Sequence, residues 1–583
     1  MRRWRMSFSD VKFAKFFAAA SLMAAATFAI GNIIQVVSSW YLGADAFAAM
    51  AAVYPYRLLP DVLVVLVAEG SAALSAQAMG RSDRDTANRI FSQGALILAG
   101  VGVVFTLGFH AFEGVYLDLI GVAGAVRAEA LAFGGGFVYS ILSGMLQDYL
   151  RVQVYADGGQ KFCLFGSLAY LVVHAVTAVL FVSRWGARGL GLSVAAATCA
   201  YLGILLLHFR TKAASLRLKP SFSLPLLVRT CALGLGSLLP QLSTILISFV
   251  MTRVAAARFG AVGLAVVAVV NGIGSLTGFL QAVGLVALPF AAVYFGEDNR
   301  SGLVATMRRA ACFLLGEGLL LALPLLVFPG RVAGLFGIDE PATHVAMEGA
   351  VRWIGAFLVP AGFAALWGTY LQATGHERVA GAYAFFRSLV FPAFAIFAGI
   401  GFCGVSALAA ALAGETLFLA VAGLVGRAVA GRKGLTFPLF LRPSDRDGLL
   451  LSLNVTGEEA ARAAGLIGEV LERRLGSGDR RTMWASLAAE ELLTVIHDLH
   501  AGRKVRAELT LDFPEEDTVR LVIRDDGRIF DFSSDASDVN SLSAFVLVRL
   551  TRGCEQNGMT TTGSNRSLLI FKNDNPKQEK TVS

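Results

Sequence analysis

Five ionisable side chains fall inside apolar stretches of this sequence: Glu69, Asp148, Glu317, Arg387 and Glu415. A charge held away from water is costly, so such residues face a cavity or a partner and mark ion or substrate pathways. A carboxylate placed in this way can bind a proton or Na⁺, or neutralise a cationic solute. Simpler readings stand beside that one. Glu69 and Asp148 sit near the ends of their stretches, where water at headgroup depth would solvate them. Glu317, inside "FLLGEGLLLALP", could pair with Arg387 as a structural ion pair. Metal chemistry is not indicated: the six cysteines are scattered, none forms a C-x-x-C pair, and five lie in apolar segments where a thiol behaves as a small hydrophobe.

The elements that must position these residues are membrane helices. The chain has 583 residues, 56% of them hydrophobic and only 16% charged, with a mean hydropathy of +0.64. A soluble protein carries roughly 25% charged residues. Nearly all the apolar excess lies in residues 13–430, whereas the sequence from "SDRDGLLLSLNVTGEEAARAAG" onward has the balance of a soluble domain. About 20 apolar residues span a bilayer. Cutting residues 13–430 at charged or Gly/Pro-rich breaks gives about twelve stretches, centred near residues 27, 60, 99, 138, 172, 199, 238, 275, 319, 357, 389 and 416. The basic start "MRRWRMSFSDVKFAKFF" leads into a long apolar run and is expected to be an uncleaved first helix.

The stretches repeat. "YADGGQKFCL" and "LQATGHERVA" set Gly159 against Gly375, and "AMGRSDRDTANR" and "YFGEDNRSGLVA" set Gly80 against Gly296. Gly43 against Gly260 and Gly189 against Gly404 fall at nearly the same spacing. Two six-helix halves of one design are a transporter signature, because such halves can rock about a site between them. Arg2, Arg3, Arg5, Lys12, Lys15, Arg81, Arg84, Lys161, Arg210, Arg300 and Arg378 all fall on one side of this topology, which places both termini in the cytoplasm. The net charge of +8 thus reports topology, and no nucleic-acid partner is expected.

Residues 15–430 resemble the multidrug and toxic compound extrusion (MATE) family. The likeness rests on Pro289, Tyr294 and Gly296 in "PFAAVYFGEDNR", on Arg387 and Pro392 in "FRSLVFP", and on Glu415 in "AGETLFL". Two positions depart from the family. Ile34, with Asn32 and Gln35 nearby, stands where many members have an aspartate in the first helix. His174 and Ala178 occupy the Asn and Asp slots of the fifth. The coupling carboxylate is therefore expected to be absent or relocated.

The C-terminal segment reads as strand 448–455, helices 457–474 and 481–500, and strands 505–513, 518–525 and 566–572, with a hairpin at "PEED". Its motifs resemble the ATP-binding domain of anti-sigma-factor kinases, of the histidine kinase-like (Bergerat) fold. Glu491 in "AAEELLTVIHDLH" matches the motif acid. Asp525, Gly527, Phe530 and Asp531 in "IRDDGRIFDF" match D-x-G-x-x-F-D, and residues 541–571 match the closing segment. By that resemblance Asp525 and Gly527 retain an adenine contact. Val495 replaces the Mg²⁺-binding asparagine, and Ser541 and Ser543 replace the phosphate-loop glycines. A degenerate domain, regulatory or protein-docking and without ATPase or kinase activity, is the expectation.

The fold expected is an α-helical polytopic membrane protein, with about twelve transmembrane helices in two six-helix repeats (13–210 and 223–430) and a C-terminal cytoplasmic α/β sandwich domain (448–575). The function expected is export of organic compounds across a bacterial-type cytoplasmic membrane, coupled to Na⁺ or H⁺ by alternating access and requiring no cofactor. Adenine nucleotide is in question for the tail. Lipid, a small organic solute and a cytoplasmic protein docking on the tail are the expected partners. A lipid-linked precursor flippase of the same superfamily and a membrane receptor remain alternatives.

Overall fold

The computed structural model describes residues 8–80, 83–157, 159–211, 214, 216–219, 221–296, 300–338, 340–374, 377–441, 449–476, 478–500, 504–515, 518–527, 554–559 and 564–572. In hydrocarbon every backbone N–H and C=O must be satisfied within the chain, so long apolar runs become helices. They are α1 (Phe8–Leu42), α2 (Ala44–Arg57), α3 (Leu59–Gly80), α4 (Arg84–Ile120), α5 (Gly124–Ala156), α6 (Gln160–His208), α7 (Leu224–Gly274) and α8 (Thr277–Gly296). After them come α9 (Arg300–Val327), the short α10 (Pro329–Gly334), α11 (Pro341–Ala373), α12 (Glu377–Phe385), a π-helical turn (Phe386–Val390), α13 (Phe391–Cys403), a 3₁₀ turn (Gly404–Ala409) and α14 (Ala411–Arg432). Among the described residues ten helical runs are long and apolar enough to cross a membrane.

Two of those runs, Lys161–His208 and Gln241–Leu288, are 48 residues long. At 1.5 Å per residue that is about 70 Å, more than twice a hydrocarbon core. Each is broken at a glycine with positive φ: Gly186 (φ 55°, ψ −141°) and Gly260 (φ 58°, ψ −136°). These belong to a set. Gly43 and Gly260, Gly121 and Gly337, and Gly186 and Gly404 all have positive φ, and each pair lies about 217 residues apart. The repeat is therefore written in the backbone. It corrects one landmark: Gly186, not Gly189, is the counterpart of Gly404, because Gly186 is the residue that makes the turn. The partner landmark Gly375 lies outside the described residues.

The chain forms two compact units, one of Ala20–Gly284 with Ala311–Gly423, the other of Met1–Ala19 with Leu285–Ala310 and Leu424–Ser583. In the first, α3 and α7 cross where Gly70 faces Thr230 and Gly234 faces Leu66. A Cβ on either glycine would overlap the facing carbonyl, so only these small residues let the helices touch.

The second unit contains a five-stranded antiparallel sheet of order β1-β2-β3-β5-β4, with β1 Leu449–Asn454, β2 Arg506–Glu515, β3 Thr518–Asp525, β4 Cys554–Met559 and β5 Ser564–Lys572. Sequence pattern does not reveal β4: "CEQNGM" lacks the apolar alternation that marks a strand, and it pairs only because β5 offers it an edge. Helices α15 (Gly457–Leu475) and α16 (Arg480–Asp498) start at the side-chain caps Thr456 and Asp479. They bury Ile467, Leu471, Leu492, Leu493 and Ile496 against Leu509, Leu521, Ile523, Leu569 and Phe571.

The ψ values at Gly260 and Gly404 put these turns in a region essentially closed to residues with a Cβ. Gly260→Ala and Gly404→Ala are each expected to cost about 1–3 kcal/mol and to lower the unfolding midpoint of detergent-solubilised protein. Gly100→Ala, in regular helix with open space around it, should leave the midpoint unchanged or raise it. Midpoints unaltered in both turn variants would show that the turns can accommodate a side chain.

Candidate ion and substrate site

The segment "YPYRLLPDV" interrupts what would otherwise be one helix. Pro60 has no N–H to offer the carbonyl of Tyr56, so the ladder tightens into 3₁₀ bonds. The Leu58 N–H donates to Pro55 O at 3.3 Å and the Asp61 N–H to Leu58 O at 3.1 Å. About 217 residues on, the junction of α7 and α8 tightens in the same way: the Ser275 N–H donates to Gly272 O and the Leu276 N–H to Ile273 O. Helices interrupted at corresponding places in two halves are the strongest pointer to a transport site.

In the first half the interruption delivers charge. Arg57 and Asp61, four residues apart and so on one helical face, line a cavity of about 210 Å³ together with Asp148 on α5, Tyr170, His174 and Thr198 on α6, and Ile30 and Ile34 on α1. The Arg57 guanidinium lies over the rings of Tyr54 and Phe137, at 5.3 and 5.7 Å. Asp148 accepts from Gln147 Nε2 at 3.1 Å and from Arg151 Nε at 3.4 Å. His174 is fully buried, and among the described residues neither of its ring nitrogens has a hydrogen-bond partner. Two carboxylates, a guanidinium and an imidazole, with the hydroxyl residues Ser140, Tyr170 and Thr198 among apolar side chains, can exchange a proton or Na⁺ and neutralise a cationic solute.

Of the five ionisable residues singled out from sequence, only Asp148 lies in this cavity, beside Ile34 and His174, two of the positions that depart from the family pattern. Sequence reasoning missed Arg57 and Asp61, although two opposite charges four residues apart, flanked by Pro55 and Pro60 near the centre of an apolar stretch, were the available signal. Glu69 is exposed on α3 and does not line the cavity. Glu317, half-buried on α9, accepts from Ser21 Oγ at 2.9 Å and its other oxygen has no partner.

Arg387 does not pair with Glu317, which corrects that alternative: its Nη1 donates to Glu415 Oε2 at 2.8 Å, the side chains being 17% and 19% exposed. Local geometry explains the choice. Pro392, without an N–H, is preceded by the π-helical turn that carries Arg387, and π turns of this kind often mark functional positions. α14 passes so close that a Cβ on Gly414 would overlap the Phe391 carbonyl, which brings Glu415 against that turn.

In the C-terminal sheet, Asp525 is 1% exposed. Its Oδ1 accepts from the Gly527 N–H at 2.8 Å and from Asn565 Nδ2 at 2.9 Å, while Oδ2 has no hydrogen-bond partner among the described residues. Burial pushes this carboxyl above the ordinary range, with the two hydrogen bonds opposing the shift. Glu491 is half-buried on α16, and Val495 is packed in the core between helices and sheet. Phe530, Asp531, Ser541 and Ser543 lie outside the described residues. On the sheet face away from α15 and α16, Tyr294 of α8 donates its hydroxyl proton to Glu508 Oε1 at 2.6 Å, and Arg524 lies over the Tyr294 ring at 4.3 Å. All three are at least nine-tenths buried.

A comparison with protein-family models matches MatE at residues 19–180 and 237–397, more than half of the chain. The chain belongs to the MatE family. Its two matched segments fall one in each half of the repeat. Solved structures agree in fold. An inward-facing multidrug resistance MATE family transporter of the MOP superfamily superposes with a TM-score of 0.60 at 17% identity, covering 73% of this chain and 96% of that one. A MOP superfamily transporter from Pyrococcus furiosus, described by a binding pocket of reverse polarity, gives 0.56 at 17% identity over 73% and 96%. The Vibrio cholerae MATE transporter VcmN, in a mutant form, gives 0.53 at 17% over 72% and 97%. A comparison with curated protein sequences finds no match. This MatE chain is thus a multi-pass membrane protein with an additional C-terminal sheet.

Breaking a buried ion pair strands a charge and costs about 3–5 kcal/mol, whereas replacing both partners is much cheaper. Arg387→Met and Glu415→Met are each expected to lower the unfolding midpoint clearly. The double variant Arg387→Met/Glu415→Met should recover most of the loss. Additive losses in that cycle would show that the pair is not energetically coupled.

Proposed function

We propose that the chain is a secondary active transporter that exports organic, cationic or amphipathic compounds by alternating access of its two halves, driven by H⁺ or Na⁺. Splitting the two 48-residue runs at Gly186 and Gly260 gives twelve spans, six in each half (13–210 and 223–430). The basic loops support a bacterial-type cytoplasmic membrane with both termini cytoplasmic. The observation that carries the reading is the cavity at the α2–α3 interruption. Ile34, in the slot where many family members have an aspartate, faces the same space as Asp61 and Asp148. Those carboxylates replace the missing one from neighbouring helices, which relocates the coupling site without moving the cavity.

A lining that balances Arg57 and His174 against two carboxylates, among apolar and hydroxyl side chains, favours efflux over a flippase, which would need a strongly basic cavity for an anionic lipid-linked head. Asp61→Asn and Asp148→Asn are each expected to reduce coupled efflux in inverted vesicles by about tenfold or more, equivalent to ~1.4 kcal/mol. Glu69→Gln should leave it unchanged. Wild-type efflux by both aspartate variants, across pH and Na⁺ concentration, would move the coupling site elsewhere.

The C-terminal domain, 448–575, is proposed to be a regulatory module of the histidine kinase-like fold that docks a cytoplasmic protein and no longer hydrolyses ATP. Its regulatory reach is supported by the buried bond from Tyr294, at the end of a transporter helix, to Glu508. Asp525 keeps a free acceptor oxygen for an adenine amino group, but Val495 is apolar and packed away, so the asparagine's metal ligand has no replacement there. Since Mg²⁺ neutralises the charge that develops in phosphoryl transfer, turnover should be absent even where nucleotide binds. Calorimetry and phosphate release on the full-length protein test this. Mg²⁺-dependent micromolar binding with turnover would refute it, and Asp498, exposed at the end of α16, would be the next ligand to examine.

A further inference from the structure

In the second compact unit, the start of α1 and the sheet enclose a recess of about 480 Å³ that the transport reading does not use. Lys12 and Lys15, one helical turn apart, line it from α1. Lys504 and Arg506 line it from the start of β2, beside Asn454 at the end of β1. The one carboxylate among its described lining residues is Asp526, whose Oδ1 already accepts from the backbone N–H of Arg506 at 2.8 Å. Four cations thus converge on a water-accessible space in which Asp526, with Asp525 also acting on Lys12, supplies the negative charge among the described residues. A recess lined mainly by one sign of charge focuses the field and concentrates anions within it.

We propose that this recess binds a phosphate-bearing anion. A phosphate group carries about −1.5 to −2 charges and three strong acceptor oxygens. That demand matches three ammonium groups, each a point charge with three donors, and one guanidinium fork. The same chemistry has two sources. Lys12 and Lys15 stand at the head of the apolar run Val11–Leu42, at the depth of lipid headgroups. Lys504 and Asn454 are exposed, so a free phosphate can enter from water. In either case the anion joins α1 to the C-terminal sheet through charge-assisted hydrogen bonds.

The test uses the full-length protein in nanodiscs. In purely zwitterionic phosphatidylcholine discs, inorganic phosphate is titrated by calorimetry. In discs containing phosphatidylglycerol, retained lipid is counted by native mass spectrometry. Saturable phosphate binding identifies a free anion as the ligand, and selective retention of the anionic lipid identifies a headgroup. In either arm Lys504→Gln/Arg506→Gln is expected to weaken binding by about tenfold or more, whereas Lys504→Arg retains it. Lys15→Gln, changed on the exposed side of α1, provides a second reading if the double variant fails to fold. No binding in either arm, or binding undiminished in both glutamine variants, overturns the proposal.

Discussion

A polypeptide inside hydrocarbon has almost no freedom to leave its backbone hydrogen bonds unmade. Every irregularity in this protein is governed by that constraint. Where Pro60 removes a donor, the ladder contracts to 3₁₀ bonds. Ahead of Pro392 it widens to a π turn. At the α7–α8 junction no proline is present, and there the hydroxyls of Ser275 and Thr277 donate to the carbonyls of Gly272 and Gly274 at 2.5 and 2.8 Å. At two of these sites, the turn at Pro60 and the turn ahead of Pro392, charged side chains enter the membrane region, because a distorted turn re-aims a side chain away from the regular helical faces.

The two halves share a scaffold but divide the chemistry unequally. Shifting Arg387 and Glu415 back by about 217 residues, the spacing of the turn glycines, lands on Tyr170 and Thr198, both of which line the first-half cavity. The second half therefore fills the equivalent region with a self-neutralised ion pair. At the positions equivalent to Arg57 and Asp61 it has Gly274 and Gly278. A charged pair on adjacent elements needs no ligand, whereas Asp61 and Asp148 face open space. The same spacing thus carries an open, charge-lined cavity in one half and a closed ion pair in the other.

Much of the fold was legible in the sequence because its signals are local. Apolar run length marked the long helices, the landmarks Gly43 and Gly260 fell on positive-φ turns, and alternation around "PEED" marked the β2–β3 hairpin. β4 was not legible, since its pairing depends on an edge that another part of the chain provides. The site was harder still. Asp148 was found as an isolated carboxylate, but Arg57 and Asp61 become meaningful only when α2, α3, α5 and α6 surround one cavity. Nor could spacing separate Glu317 from Glu415 as the partner of Arg387. That choice rests on how closely α14 approaches at Gly414, a packing detail with no sequence period.

The C-terminal sheet shows the same dependence on what covers a surface. One face is apolar and is satisfied by α15 and α16. The other carries Glu508 and Arg524 as cross-strand partners, next to the exchange of Asp512 with Arg520 at 2.7 Å. Exposed, such pairs contribute little. Among the contacts that make burial of Glu508 and Arg524 tolerable, the Tyr294 hydroxyl and ring supply a hydrogen bond and a cation–π contact in place of water. If Tyr294 withdrew, a nearly fully buried carboxylate would lose its shortest hydrogen bond. The position of the helix end at Tyr294 and the solvation of the sheet face are therefore one equilibrium, so any motion that moves that helix end must also change what the sheet presents to its surroundings.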